Sequence, residues 1–120
     1  MNDLELMTLP GWKQRDMVVA GDISSRELVE ASFRRIEAVD GQLHAFLTRD
    51  PDGALRAADA ADAAVAASSD PAGELGRFHG VPISIKDLEL TIGLRTTLGC
   101  KVYEEWVPDY DSTVVERVRE

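Results

Sequence analysis

Between Gly80 and Asp87, Val81, Ile83 and Ile85 alternate with Pro82, Ser84 and Lys86, and no other stretch constrains the fold of this chain as strongly. A period of two puts the three aliphatics on one side of an extended backbone and Ser84 with Lys86 on the other. An extended segment must find partners for its backbone N–H and C=O groups, so the pattern predicts a strand in a sheet. The same segment carries chemistry. Burying an ammonium in apolar surroundings is costly unless it is paired or gives up its proton, and a lysine that gives up its proton near neutral pH is a base. Spacing alone leaves two plainer readings open for Lys86: its amine reaches out to water, or it pairs with a nearby carboxylate such as Asp87.

The residues before this segment read as helices. Residues 9–20 hold Trp12, Met17 and Val19 on a weak apolar side, and Gly21 suits the left-handed position after a helix end. Ser24 and Glu27 have the spacing of a capping box, flanked by Ile23 and Leu28 at the spacing of a hydrophobic staple. Leu28, Val29, Ser32, Phe33, Ile36 and Val39 then recur at helical intervals, with Asp40-Gly41 as the expected stop. Leu43 to Thr48 reads as extended or turn-linked. Asp50-Pro51 opens an alanine-rich helix over 51–67, whose small side chains let another element approach closely. Residues 68–73 form a loop. Past the lysine segment, 88–92 reads as a second short extended piece and 93–99 as a glycine-bounded, hydroxyl-rich loop. Asp111 is a suitable cap for a final helix carrying Val114, Val115 and Val118. That helix meets no stop signal before Glu120, so the pattern predicts a longer chain.

The 120 residues are enough for one ordinary domain, and 44% of them are hydrophobic. A net charge of −9 disfavours nucleic-acid binding through a broad basic patch and docking on anionic lipid. Cys100 is the only cysteine, so no internal disulfide can form, which fits a reducing compartment. The N-terminus, Met1-Asn2-Asp3-Leu4-Glu5, lacks the features of a signal peptide, and no apolar run is long enough to span a bilayer. A cytoplasmic location is the expectation. The two histidines, His44 and His79, do not sit at ligand spacing, so no metal is expected. Cys100, Trp12 and Trp106 read as structural rather than reactive residues, and His79, in a loop before Gly80, reads as facing solvent.

Leu75 to Asp87 resembles the lysine segment of the amidase signature family. The similarity continues through Thr91 to Gly99, with its Thr96-Thr97-Leu98-Gly99 motif, and through Val107 to Val115. Ser24 to Val29 and Leu43 to Phe46 are similar to that family's helical N-terminus, so the resemblance covers residues from about 8 to 120. It implies an α/β fold in which N-terminal helices lead into the first strands of a mixed sheet. In those terms the chain divides into a helical part (1–74), a lysine strand with its T-T-x-G loop (75–110) and an unfinished helix (111–120), all within one amidase domain. The resemblance further implies a Ser-cisSer-Lys triad that cleaves or transfers amide bonds through an acyl-enzyme. Lys86 is then the base, with Asp87, Thr96 and Thr97 supporting the site. Both serines belong to a glycine- and serine-rich turn that none of the chain's own serines, Ser84 and Ser112 included, occupies. Two positions depart from the family pattern: Cys100, where serine is common, and His44, where asparagine is usual.

The expected function is therefore amide-bond hydrolysis on a small-molecule amide, without a cofactor, by an enzyme of which this chain holds only the lysine. One alternative is the A subunit of a glutamyl-tRNA amidotransferase, although Leu88 stands where such proteins often have asparagine. The other is a non-catalytic interaction fragment. The chain is expected to pair with the missing C-terminal part or with a second copy.

Overall fold

A computed structural model describes all residues from Met1 to Glu120. Six helices occur in chain order: α1 (Asp3–Thr8), α2 (Gly11–Ala20), α3 (Ser25–Leu43), α4 (Pro51–Ala67), α5 (Pro71–Glu74) and α6 (Thr113–Arg119), with a 3-10 turn at Lys101–Tyr103. The chain divides into two compact units, residues 1–44 with 51–82 and residues 45–50 with 83–120.

The first unit is built on the α3–α4 pair, with α1 packed on α3. Ser24 begins α3 as read from the sequence: its side chain accepts from the Glu27 N–H while the Glu27 side chain accepts from the Ser24 N–H. A second cap comes from α4, where Asp62 accepts the N–H groups of Ser25 (2.7 Å) and Arg26 (3.1 Å). These are among the donors that a helix start leaves without partners. Leu6, Val18, Leu28 and Ala31 form the core, packed around by Met7, Leu9, Met17, Ile23 and Val65. Arg15 binds α5 and the segment after it by donating to the carbonyls of Ala72, Leu75 and Gly76. Ser25 Oγ donates to the Gly80 carbonyl at 2.7 Å, which fixes the entry to the lysine segment on the start of α3.

Some helix bounds differ from expectation. The helix expected over 9–20 is α2, which begins only at Gly11, and a further helix, α1, precedes it across Leu9 and Pro10. Helix α3 runs through Asp40-Gly41 and ends only at His44, whose φ of 50° makes it the left-handed cap. Asparagine and histidine tolerate that conformation better than most residues, which accounts for histidine where the family pattern has asparagine. Ser112, not Asp111, is the cap residue of α6. Asp111 accepts from the Ile92 N–H at 2.7 Å and pairs with Arg119 at 2.9 Å.

The expected α/β fold with a mixed sheet is overturned. The chain is 55% helix and contains no strand. Residues 81–86 carry no regular structure, and 88–92 begins in a turn closed by the Glu89 N–H on the Lys86 carbonyl (2.9 Å). The physical reason lies in pairing. Alternation decides which side chains share a face, but a ladder needs a second strand, and no segment of these 120 residues runs alongside to supply one. Consistent with that, Ile83 is 62% exposed.

The second unit is held by hydrogen bonds between loops. Thr48 Oγ1 donates to the Arg95 carbonyl, and Arg95 donates to the carbonyls of Leu47 and Glu104, all at 2.9 Å. The Gly93 N–H reaches the Pro108 carbonyl, and the Thr96 N–H reaches that of Trp106 (3.0 Å each). The rings of Tyr103 and Trp106 pack at 5.4 Å. Thr91, Thr96, Thr97, Pro108 and Val115 are its buried residues. No helix of the chain is long and apolar enough to cross a membrane.

Candidate functional site

The residues singled out by sequence lie in the second unit, around the turn that follows Thr96. Asp87 organises that turn. Its carboxylate accepts the Thr97 N–H at 2.8 Å, the Thr97 hydroxyl, and the Gly99 N–H at a longer 3.4 Å. Its backbone carbonyl accepts the Leu98 N–H at 3.1 Å. The Cys100 N–H closes the turn on the Thr97 carbonyl at 2.9 Å. The two central residues, Leu98 (φ 53°) and Gly99 (φ 69°), are both left-handed. Glycine accepts that conformation freely; leucine adopts it at a cost and only where its surroundings enforce it.

Burial works to raise the Asp87 pKa. The hydrogen bonds from Thr97 and Gly99, with the nearby charge of Arg95, outweigh it and hold the carboxyl below its ordinary value. Asp87 is therefore a carboxylate at neutral pH and an acceptor only.

Lys86, adjacent in sequence, is exposed, and no ion pair joins it to Asp87, whose oxygens are taken by Thr97 and Gly99. Thr97 meets the lysine segment through Asp87. Thr96 serves the loop itself: its hydroxyl donates to the Leu94 carbonyl at 3.1 Å. Ser84 is exposed, and the Ser112 hydroxyl donates to Glu89 at 2.6 Å. In the first unit, His79 Nε2 lies 3.0 Å from the Ala61 carbonyl, so that ring is tied to α4. Nowhere do three or more His, Cys, Asp or Glu side chains gather as metal ligands would.

A shallow, open cavity of about 270 Å³ adjoins the turn, lined by Leu47, Arg95, Thr97, Cys100, Lys101 and Glu104 among others. Sequence reasoning missed Arg95, which ties Leu47 and Glu104 to the loop. The signal was a single arginine in an otherwise hydroxyl-rich, glycine-bounded stretch. It also missed the left-handed Leu98, for which the glycine directly following was the only cue.

The family model described as Amidase matches residues 27–120, a range that contains Lys86, Asp87, Thr96 and Thr97. Among curated proteins, the chain is 46% identical over 104 residues to the A subunit of the glutamyl-tRNA(Gln) amidotransferase of Acidothermus cellulolyticus, covering 87% of the chain and 20% of that protein. It is 52% identical over 101 residues to the protein of the same name from Anaeromyxobacter dehalogenans, covering 84% and 20%. It is 41% identical over 117 residues to the one from Geobacter sulfurreducens, covering 98% and 23%. The chain thus spans about a fifth of the length of the curated relatives it matches.

Proposed function

We propose, from the premise that this chain belongs to the amidase family, that it contributes the lysine of an amide-cleaving active site, of the type found in the A subunit of glutamyl-tRNA(Gln) amidotransferases. The observation that carries the reading is the similarity itself: over the aligned residues, three proteins of that name are 41–52% identical to this chain, across 84–98% of its length.

In this reading Lys86 is the general base. Its neutral amine takes the proton of a relay serine as that serine takes the proton of the nucleophile. The nucleophilic oxygen then adds to the carboxamide carbon, the C–N bond breaks, and the proton passes to the departing nitrogen. Water cleaves the resulting ester and regenerates the serine. In an amidotransferase the ammonia released goes on to the glutamyl-tRNA; in a hydrolase it diffuses away. Neither serine of the triad is assigned to this chain. Ser84 and Ser112 are not in a glycine- and serine-rich turn, and Ser112 is engaged with Glu89. A water-exposed ammonium is a poor base, so the reading requires that Lys86 be covered once the active site is assembled. The isolated 120-residue chain should turn over no amide.

The test is a chimera in which this chain replaces the matching fifth of the Acidothermus cellulolyticus relative. Glutamine-dependent ammonia release is expected from the chimera, with kcat falling about a thousandfold or more in Lys86→Ala. Undiminished turnover by that variant would remove Lys86 from the mechanism. Leu88 favours a second reading, a hydrolase of small amides that works without partner proteins. Turnover of simple amides without transfer to tRNA, and no co-purifying partners, would select it.

A further inference from the structure

The Asp87 side chain faces the turn that follows Thr96. Through it, the backbone just after Lys86 is gripped at three points: the Thr97 N–H and hydroxyl on the carboxylate, and the Leu98 N–H on the Asp87 carbonyl. On its other side, the Lys86 carbonyl accepts the Glu89 N–H. The peptide joining Lys86 to Asp87 is therefore held from both directions, although the lysine side chain itself is exposed. The turn being gripped is not one its sequence prefers. Leucine at φ 53° sits in the left-handed region and needs surrounding contacts to stay there. Its own N–H and those of Thr97 and Gly99 on either side of it all end on Asp87. The low pKa of Asp87 follows from the same donors, which are matched to a carboxylate.

The geometry points to Asp87 as the positioning residue of this site: by clamping the Thr97–Cys100 turn it fixes the backbone from which Lys86 projects, and so sets where the amine meets its hydroxyl partner. Asp87 does not touch substrate. The inference rests on the reading that Lys86 is the base. Small errors in the placement of a base are expensive, since a misplacement of about 1 Å can cost about a hundredfold in rate.

The experiment compares kcat and KM in the chimera for Asp87→Asn, Thr97→Val, Thr97→Ser and the double variant Asp87→Asn/Thr97→Val, with thermal midpoints to confirm folding. Asparagine keeps the size but replaces one of the two carboxylate oxygens with an NH2 donor, so the Thr97 N–H and hydroxyl can no longer donate to separate oxygens. Valine keeps the shape of threonine without its hydroxyl; serine keeps the hydroxyl. Asp87→Asn and Thr97→Val should each lower kcat about 10- to 100-fold with KM within about twofold. Thr97→Ser should stay within about threefold of the parent. The double variant should be no slower than the worse single one, because both remove the same clamp. Full kcat in Asp87→Asn, a KM rise at unchanged kcat, or additive losses would overturn the inference. Lys86→Ala separates it from the functional reading: an active Lys86→Ala defeats that reading, whereas an inactive Lys86→Ala beside a fully active Asp87→Asn defeats only the positioning role. In the 120-residue chain itself, amide exchange at Thr97 and Leu98 should quicken at least about tenfold in Asp87→Asn. Unchanged exchange there counts against the clamp without reference to activity.

Discussion

Gly80 shows how tightly single positions are set where the chain enters the lysine segment. Its φ is 74°, and a Cβ added there would lie 3.0 Å from Val18 Cγ1 and 3.2 Å from Ser25 Cβ. Gly80→Ala therefore meets both backbone strain and core atoms, and should destabilise the fold by about 1–3 kcal/mol, read as a lower urea midpoint. An unchanged midpoint would contradict the close approach. The carboxylates make a separate prediction. The pKa of Glu27 is lowered by hydrogen bonds from the Ser24 backbone and hydroxyl, and that of Asp3 by hydrogen bonds from Arg34; that of Asp87, against the effect of burial, is lowered by its Thr97 and Gly99 donors and the charge of Arg95. A depressed carboxylate stabilises the fold above its ordinary value, 3.8 for Asp and 4.5 for Glu, and that contribution is lost as pH falls through the lower folded value. Stability should hold from neutral pH down to about 5 and decline below about 4. A urea midpoint that rises on acidification through that range would contradict these shifts. At this scale the sequence was partly readable. Thr96 and Thr97 stood out as hydroxyls able to tie the loop to the lysine segment, and Thr97 does so. That Asp87 would be its acceptor, ten residues away, depended on a turn shaped by Leu98, and leucine carries no local signal for a left-handed conformation.

Among the elements, α3 shows which information is local. Its capping box lies in four consecutive residues and is legible without any tertiary context; Ser24→Ala should cost about 1 kcal/mol, measured by chemical denaturation. The second cap, Asp62 on the N–H groups of Ser25 and Arg26, bridges 37 and 36 residues, and no local pattern announces it. Leu28 is 0% exposed in the core of the first unit, so Leu28→Ala should cost about 2–5 kcal/mol, and a loss below about 1 kcal/mol would mean that the site collapses around the cavity. The end of α3 misled because glycine at 41 looked like a terminator. The helix accommodates Gly41 and stops where His44 takes the left-handed cap. The alternation at 81–85 misled for a deeper reason. Period two reports which faces the side chains take, whereas a strand is a property of two segments, and these 120 residues hold only one of them.

At the scale of the whole molecule, the two units contrast in what they bury. The first closes an aliphatic core between helices. The second buries three threonines, Thr91, Thr96 and Thr97, and leaves Ile83, Leu88, Val107 and Val114 largely in water. A net charge of −9 disfavours docking through a broad basic patch but does not identify a reaction. The lysine segment and the threonine loop identified the family, and residues 27–120 match it. The reaction itself turns on whether Lys86 removes a proton during acylation. The most direct measurement is the pre-steady-state burst of acyl-enzyme in the chimera, with and without the lysine amine. A burst is expected in the parent and its loss in Lys86→Ala, with acylation slowed about a thousandfold or more while the fold is retained. A burst of undiminished rate in Lys86→Ala would contradict it.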